Sequence, residues 1–253
     1  MSLEGKVAIV TGGNRGIGKG ISLGLARDGA DIAVNYRGDE ESALETVAEI
    51  EALGRKAKAY QASVDDYDAI AAMIPQIVED FGGIDILVNN AGIASRGKSV
   101  ADTDPAEMQR VVGVHFFGAY YATHEALPHL RGKDRADIIM ITSAATRDMM
   151  PYGAPYSVGK VAAEALALTV AKEERHNNIR VNIVSPGVVE TDMGRRLVKA
   201  RGVDDIRDTD ATSPWGRVCQ PEDVANVVCW LVSDKNSYVT GERIYVDGFK
   251  GVD

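Results

Sequence analysis

Two side chains suited to proton transfer, Tyr156 and Lys160, lie four positions apart in a segment with the pattern of a helix. That spacing puts both on one helix face, so the ammonium group can lie near the phenol. A free phenol has a pKa of about 10, and a neighbouring positive charge lowers that pKa towards neutrality. The pair therefore predicts a side chain able to transfer a proton near neutral pH. Taken alone, the same spacing more often indicates a packed ring beside a surface amine.

A glycine-rich turn, Thr11 to Gly18, follows the first predicted strand and opens the first predicted helix. Its spacing, G-x-x-x-G-x-G, presents backbone N–H groups and the positive end of a helix to a pyrophosphate. A tight strand-to-helix connection is the alternative, but the strand and helix on either side favour a dinucleotide. The contacts expected here are made by Gly12, Asn14, Arg15, Gly16, Ile17 and Gly18.

The second predicted strand ends in Asn35, Tyr36 and Arg37, without the carboxylate that commonly accepts the ribose 2′-hydroxyl of NAD. The guanidinium groups of Arg15 and Arg37 are able to hold a 2′-phosphate between them. We therefore expect NADP(H) to be preferred, with NAD(H) possible. The alternative is that both arginines are ordinary surface charges.

Short β-branched runs alternate with longer amphipathic segments along the whole chain, a pattern typical of strands joined by crossover helices. The expected strands cover 7–10, 32–34, 58–62, 84–88, 138–142, 179–184 and 243–246. The expected helices run to about residue 27, over 40–53, 67–80, 105–130 and 155–175, and after 221. Such crossovers predict a mostly parallel sheet with helices on both faces.

The fold class is therefore expected to be α/β, a single-domain Rossmann fold with a doubly wound seven-stranded parallel sheet. Residues 1–253 would form one dinucleotide-binding and catalytic domain, because no linker or repeat interrupts the alternation. The charged segment 191–216 is the least regular part of the chain. It is expected to be a substrate lid, with an ordinary solvated helical hairpin as the alternative.

The composition is that of an ordinary packed globular protein, with 45% hydrophobic and 26% charged residues. A formal net charge of -9 disfavours broad binding to nucleic acid or to an anionic membrane. The apolar runs fall far short of the roughly 20 residues that span a bilayer, and we expect no signal peptide. Cys219 and Cys229 are expected to be reduced packing residues, and no metal signature is present. We expect a cytoplasmic protein.

Several motifs, in order along essentially the whole chain, resemble the classical short-chain dehydrogenase/reductase family, including its 3-oxoacyl-[acyl-carrier-protein] reductase-like members. They are the Thr11 to Gly18 turn, Asn89 to Gly92, Ser143, Tyr156 with Lys160, Pro186-Gly187 with Thr191, and the closing segment Tyr238 to Gly248. The resemblance implies an NADP(H)-dependent oxidoreductase that moves hydride between the nicotinamide and a carbonyl or secondary alcohol, such as a 3-oxoacyl thioester. It also implies a homotetramer, with the helices near 105–130 and 155–175 as interfaces.

The same resemblance assigns roles to individual residues. Tyr156 would be the acid in carbonyl reduction and the base in alcohol oxidation, while Ser143 would bond the substrate oxygen. Lys160 would hold the nicotinamide ribose and tune Tyr156. Further cofactor contacts are implied at Ser63, Val64, Asn90, Ala91, Gly92, Pro186, Gly187, Val189 and Thr191.

Two positions depart from the family pattern. His115 stands where an asparagine is common, which implies either an altered proton relay or a buried histidine satisfied by a neighbour. Ser63 stands where an aspartate often contacts the adenine, and serine carries no charge. The substrate wall is expected at 144–152, where two methionines make it adaptable.

Two rival functions are open at this stage. A non-catalytic relative of the same fold would bind the cofactor as a sensor or assembly subunit, but Ser143, Tyr156 and Lys160 argue against it. A nucleotide-sugar epimerase or lyase would carry a separate substrate domain, for which the compact length gives little room. We therefore expect a small-molecule carbonyl or alcohol substrate, and neither nucleic acid nor membrane as a partner.

Overall fold

Seven strands follow one another along the chain, each parallel to its neighbours in a single sheet. The computed structural model describes residues 2–248. The strands are β1 (Val7–Val10), β2 (Asp31–Tyr36), β3 (Ala57–Gln61), β4 (Ile86–Asn89), β5 (Ala136–Ile141), β6 (Ile179–Pro186) and β7 (Arg243–Val246). Their order in the sheet is β3-β2-β1-β4-β5-β6-β7.

β1 pairs with β2 on one side and with β4 on the other. The chain therefore builds the sheet outwards from β1 first in one direction and then in the opposite one. At such a point the connections leave towards opposite faces of the sheet and open a crevice at the carboxyl ends of the strands. The topology therefore provides a ligand crevice beside the glycine-rich turn that follows β1.

Helices cover both faces of the sheet, which confirms the predicted α/β doubly wound fold. They are α1 (Gly16–Arg27), α2 (Glu40–Ala52), α3 (Tyr67–Phe81), α4 (Pro105–Val112), α5 (Gly118–Leu130), α6 (Ala145–Asp148), α7 (Ala154–Glu174), α8 (Asp192–Ala200) and α9 (Pro221–Val232). One apolar layer contains side chains of α1, α2 and α9. The other contains side chains of α3, α5 and α7.

The alternation of side chains along β1 divides the core between these two layers. Ala8 and Val10 belong to the layer of α1 and α9, whereas Ile9 belongs to the layer of α3 and α5. All three are fully buried. Since both faces of the sheet are covered, its strands are continuous apolar runs, and each large buried side chain stabilises the fold by about 1.5–3 kcal/mol.

The long helix predicted over 105–130 is continuous in space but not uniformly α-helical. A π-helical segment, Gly113–Phe117, separates α4 from α5. Such a segment accommodates one extra residue in the turn and is frequent at functional sites. It carries His115, whose ring is buried towards the crevice.

Within 191–216, α8 is followed by 3₁₀ turns at Ile206–Thr212 and Pro214–Gly216. Val198, Ile206 and Val218 pack in a small apolar cluster that is separate from the two layers of the sheet. In the part of the chain that is described, no helix has both the length and the apolar character needed to cross a membrane.

Candidate active site

The carboxyl edge of the sheet gathers most of the site residues predicted from the sequence. The glycine-rich turn follows β1, Asn90 follows β4, Ser143 follows β5, and Gly187 follows β6. Because parallel strands end at the same edge, the topology brings these distant segments to one crevice.

The turn after β1 has a shape that only glycine allows at key points. Gly12 and Gly16 have φ angles of 59° and 53°, in the left-handed region. A Cβ atom on Gly18 would collide with the carbonyl oxygen of Gly12. Arg15 at the start of α1 makes no side-chain capping bond, so the first-turn N–H groups can face a ligand. The turn therefore fits a pyrophosphate.

Asn35 and Asn90 fix this turn from its two sides. Asn35 accepts a hydrogen bond from the Gly12 N–H at 3.3 Å through Oδ1 and one from the Gly13 N–H at 3.0 Å through its backbone oxygen. The Asn90 side-chain amide donates to the backbone oxygens of Thr11 and Gly12, at 2.9 and 3.1 Å. These bonds hold the turn and use the N–H groups of Gly12 and Gly13, so the groups left for a ligand are those at the start of α1.

The end of β2 has the charges expected for a 2′-phosphate site. Arg15 and Arg37 are both exposed, and among residues 2–248 neither forms an ion pair. Tyr36 is buried beside them. The nearest following acid, Asp39, caps α2 by accepting bonds from the N–H and hydroxyl of Ser42, at 3.2 and 2.9 Å. Its carboxylate is therefore occupied.

Ser63 and Val64, the residues expected beside the adenine, lie just after the end of β3. The Ser63 hydroxyl donates its proton to Asp65, so its oxygen remains available as an acceptor for an amino group. Val64 is buried against Gly118. A Cβ atom added to Gly118 would lie only 2.7 Å from a methyl carbon of Val64.

Ser143, Tyr156 and Lys160 come together at the reacting end of the crevice. The Ser143 hydroxyl lies close enough to the Tyr156 phenol to lower the pKa of that phenol. Lys160 is 5% exposed, and its Nζ donates to the backbone oxygen of Ile141 at 2.8 Å. The same nitrogen lies 5.9 Å from the centre of the Tyr156 ring. Two hydroxyl groups thus converge where one substrate oxygen can accept from both.

The expected lowering of the Tyr156 pKa by Lys160 is wrong for this arrangement. Burial raises the pKa of Tyr156 above its ordinary value, and the bond from Ser143 only partly opposes that effect. Burial also lowers the pKa of Lys160 to about 8, against the opposing charge of Glu164. The ammonium is directed at Ile141 and not at the phenol, so desolvation dominates. Tyr156 therefore keeps its proton at neutral pH.

His115 is 3% exposed and lies against the Tyr156 ring, with centroids 5.0 Å apart in an edge-to-face arrangement. Its Nε2 is 2.8 Å from the Ile93 backbone oxygen and therefore carries the proton. The other nitrogen, Nδ1, has no partner among the described residues. Burial lowers the His115 pKa to about 3. The His115 imidazole is therefore neutral and buried, with a hydrogen-bond partner for one of its two ring nitrogens among the described residues.

The residues after β6 connect the crevice to the charged segment. Thr191 caps α8, its hydroxyl accepting from the Gly194 N–H at 3.1 Å. Its methyl group lies 3.2 Å from where a Cβ on Gly16 would stand. Pro186 and Val189 are buried, and Gly187 is half-buried. The start of α8 therefore lies directly over the glycine-rich turn.

The expected substrate wall is exposed and locally strained. Met149, Met150 and Tyr152 all have large accessible side chains. Met149 and Tyr152 have φ angles of 48° and 64°, a conformation that costs a non-glycine residue of the order of 1 kcal/mol or more. Strain of this kind is concentrated at binding sites, and whether these residues contact a substrate stays a prediction.

Sequence reasoning missed three residues that support this site, Thr142, Thr146 and Glu164. Glu164 is one helical turn beyond Lys160, so Tyr156, Lys160 and Glu164 form a stripe along α7. Glu164 accepts hydrogen bonds from the hydroxyls of both threonines, at 2.9 and 2.7 Å. The available signal was an acid four positions after Lys160, among small apolar residues of the same helix.

Known proteins similar to this chain match it over almost its whole length. The family model described as Enoyl-(Acyl carrier protein) reductase matches residues 12–249. The chain is 37% identical to a 3-oxoacyl-[acyl-carrier-protein] reductase of Staphylococcus aureus (strain Mu50), over 96% of this chain and 97% of that relative.

Two solved structures extend the likeness to the whole fold. A short-chain dehydrogenase from Burkholderia cenocepacia J2315 in complex with NADP is 34% identical, with a TM-score of 0.89 and 98% of each chain covered. A 7α-hydroxysteroid dehydrogenase complexed with NADH and 7-oxo glycochenodeoxycholic acid is 30% identical, with a TM-score of 0.90, over 98% of this chain and 95% of that one.

Proposed function

This chain belongs to the classical short-chain dehydrogenase/reductase family, and we propose that it is an NADP(H)-dependent oxidoreductase acting on the carbonyl or secondary alcohol of a small molecule. The observation that carries the proposal is the convergence of Ser143 and Tyr156 hydroxyls at the carboxyl edge of the sheet, beside an open glycine-rich turn. Hydride transfer at this edge is the chemistry that a bound nicotinamide supplies.

The residues that would hold the cofactor follow the crevice from one end to the other. The adenine would lie against Ser63 and Val64, and a 2′-phosphate between Arg15 and Arg37. The pyrophosphate would bind the N–H groups at the start of α1, and Lys160 would hold the nicotinamide ribose. Both NADP and NADH occur in the similar solved structures, so the preference for NADP(H) rests on the two exposed arginines.

The protonation state of Tyr156 favours carbonyl reduction. Because burial raises its pKa, the phenol holds a proton that it can donate as negative charge develops on the substrate oxygen. Ser143 would donate a second hydrogen bond to the same oxygen, which stabilises that charge. In the direction of alcohol oxidation, Tyr156 would take the proton back.

The substrate class is a ketone with an extended apolar body, such as a 3-oxoacyl thioester. Exposed Met149, Met150 and Tyr152 provide an adaptable apolar wall, and segment 191–216 would close over it as a lid. The similar proteins include both an acyl-carrier-protein reductase and a hydroxysteroid dehydrogenase. We further propose that the protein is cytoplasmic, forms one catalytic domain and assembles as a homotetramer.

The test is NADPH and NADH oxidation by the purified protein against a panel of β-keto esters, diketones, quinones, aldehydes and ketosteroids. Tyr156→Phe keeps the ring against His115 but removes the acid, and we expect it to lower kcat by about 10²–10⁴-fold while NADPH still binds. Faster turnover with NADPH than with NADH is expected from Arg15 and Arg37.

Two outcomes count against the proposal. Turnover that survives in Tyr156→Phe would remove the assigned acid. Tight NADPH binding with no turnover of any carbonyl would instead indicate a non-catalytic sensor of the same fold.

A further inference from the structure

Glu164 is a buried carboxylate on α7, one helical turn beyond Lys160, and its charge opposes the lowering of the Lys160 pKa. Its residue is 6% exposed, and both carboxylate oxygens have partners. Oε1 accepts from the hydroxyls of Thr142 and Thr146, at 2.9 and 2.7 Å. Oε2 accepts from Arg243 of β7 at 2.8 Å. A buried charge that is fully bonded in this way fixes the groups around it.

The two threonines lie on either side of Ser143 in the chain. The Thr146 N–H donates to the Ser143 backbone oxygen at 3.0 Å, and the single proton of its hydroxyl is shared between that oxygen, at 2.8 Å, and Glu164. Thr142 is bonded on its other side to the Ser185 hydroxyl at 2.7 Å. The short loop that carries Ser143 is therefore tied to Glu164 both before and after the serine.

We propose that Glu164 is a positioning residue, which holds the Ser143 loop through Thr142 and Thr146 and so keeps the Ser143 hydroxyl directed at Tyr156 and the substrate oxygen. This inference rests on the proposed function, because it concerns the same reacting centre. A purely stabilising ion pair with Arg243 is the competing account, and it predicts no link between Glu164 and Ser143.

The first comparison uses two changes of one residue. Glu164→Ala removes the acceptor and is expected to lower kcat by about 10-fold or more, as a displaced catalytic group does, with KM for NADPH unchanged. Glu164→Gln keeps an acceptor oxygen for both threonines but loses the charge opposite Arg243. It is expected to restore kcat to within about 3-fold of the unmodified protein. A Glu164→Gln variant as slow as Glu164→Ala would overturn the inference.

Glu174 provides a matched control on the same helix. Glu174 is 2% exposed and accepts a hydrogen bond from the Arg131 Nε at 2.9 Å. It lies at the last residue of α7, away from the loop that carries Ser143. Glu174→Ala should reduce thermal stability while leaving kcat within about 2-fold. An equal loss of kcat in Glu174→Ala and Glu164→Ala would favour a general effect of stability.

A double-mutant cycle tests whether Glu164 acts through the threonines. If it does, adding Glu164→Ala to Thr142→Val/Thr146→Val lowers kcat little further, because the link is already broken. Losses that multiply independently contradict the inference. Should Glu164→Ala fail to fold, Thr146→Val and Glu164→Gln carry the same test.

Crystal structures separate this inference from the proposed function, because they need no turnover. The Ser143–Tyr156 hydrogen bond is expected in the unmodified protein and in Glu164→Gln, and its loss is expected in Glu164→Ala. If the protein reduces no carbonyl but the bond behaves in this way, the proposed function fails and the positioning role stands. If the bond persists in Glu164→Ala, the positioning role fails.

Discussion

At the scale of single residues, burial controls the charge of the groups around the reacting centre. Tyr156 and His115 are both neutral at pH 7, while the pKa of Lys160 is lowered to about 8. The sequence indicates which residues meet, but not how deeply each is buried or where the Lys160 ammonium points. This is why the spacing of Tyr156 and Lys160 predicts the pair correctly and the direction of the tyrosine shift incorrectly.

His115 makes stability depend on acid pH in a defined window. The unfolded chain takes up a proton on this residue near pH 6.5, whereas the folded chain does so only near pH 3. The folded state therefore loses stability as the pH falls from about 6.5 towards 3. The expected loss between pH 7 and pH 5 is about 2 kcal/mol.

His115→Asn removes this contribution, so urea unfolding at pH 7 and pH 5 should show a smaller acid loss than in the unmodified protein. The exposed His176 is the matched control, and His176→Asn should retain the full acid loss. Identical pH dependence in His115→Asn and the unmodified protein would mean that His115 is not buried as described.

At the scale of elements, the patterns of strands and helices were sufficient to predict the sheet. Each strand run is apolar because both faces are covered, and glycine or proline lies between the runs, so the seven strands could be placed to within about two residues. The π-helical segment at Gly113–Phe117 could not be predicted in this way. The His115 ring that this segment carries packs between the Ile93 loop and Tyr156, contacts that the pattern along one helix does not reveal.

The same limit explains why the sequence does not reveal Glu164 as a support for Ser143. Thr142 and Thr146 look like ordinary polar residues beside the serine, and Arg243 is 79 positions away from Glu164. Only the packing of α7 against β5 and β6, with β7 paired to β6, brings these groups together. Spacing along one helix predicts a shared face, but not the partners on other elements.

The turn between β1 and α1 gives a prediction for an element. Gly18→Ala places a Cβ against the backbone of Gly12, which cannot move without disturbing the pyrophosphate site. We expect a loss of about 1–3 kcal/mol in stability and NADPH binding weakened by about 10-fold or more, measured by urea unfolding and fluorescence titration.

Gly38 is the control for this change, because a Cβ there meets no atom within 4 Å. Gly38→Ala should leave stability nearly unchanged. If Gly18→Ala binds NADPH as tightly as the unmodified protein, the turn does not hold the pyrophosphate.

At the scale of the whole molecule, α5 and α7 present apolar side chains that the described chain leaves exposed. They are Tyr120 of α5 with Phe117 just before it, and Val158, Val161 and Leu168 of α7. Exposed apolar side chains on two long helices are typical of surfaces that pack against another subunit. They support the proposed homotetramer.

Light scattering coupled to size exclusion should therefore give a mass near four times the 27.1 kDa of one chain. Val161→Arg with Leu168→Arg should shift the protein to a smaller species, since two buried charges without partners oppose association. Leu44→Arg, at an exposed leucine of α2, should leave the mass unchanged. A monomer at micromolar concentration would contradict the tetramer.

The strained wall at Met149 to Tyr152 and the buried support beneath Ser143 belong to different parts of the structure. The wall side chains are exposed, whereas Thr142, Thr146 and Glu164 are buried. Substitution of the wall residues is therefore expected to change the stability of the core little, because exposed positions tolerate substitution. This region thus combines exposed side chains, whose exchange is expected to reshape the surface beside the crevice, with a buried hydrogen-bonded base that such exchanges leave in place.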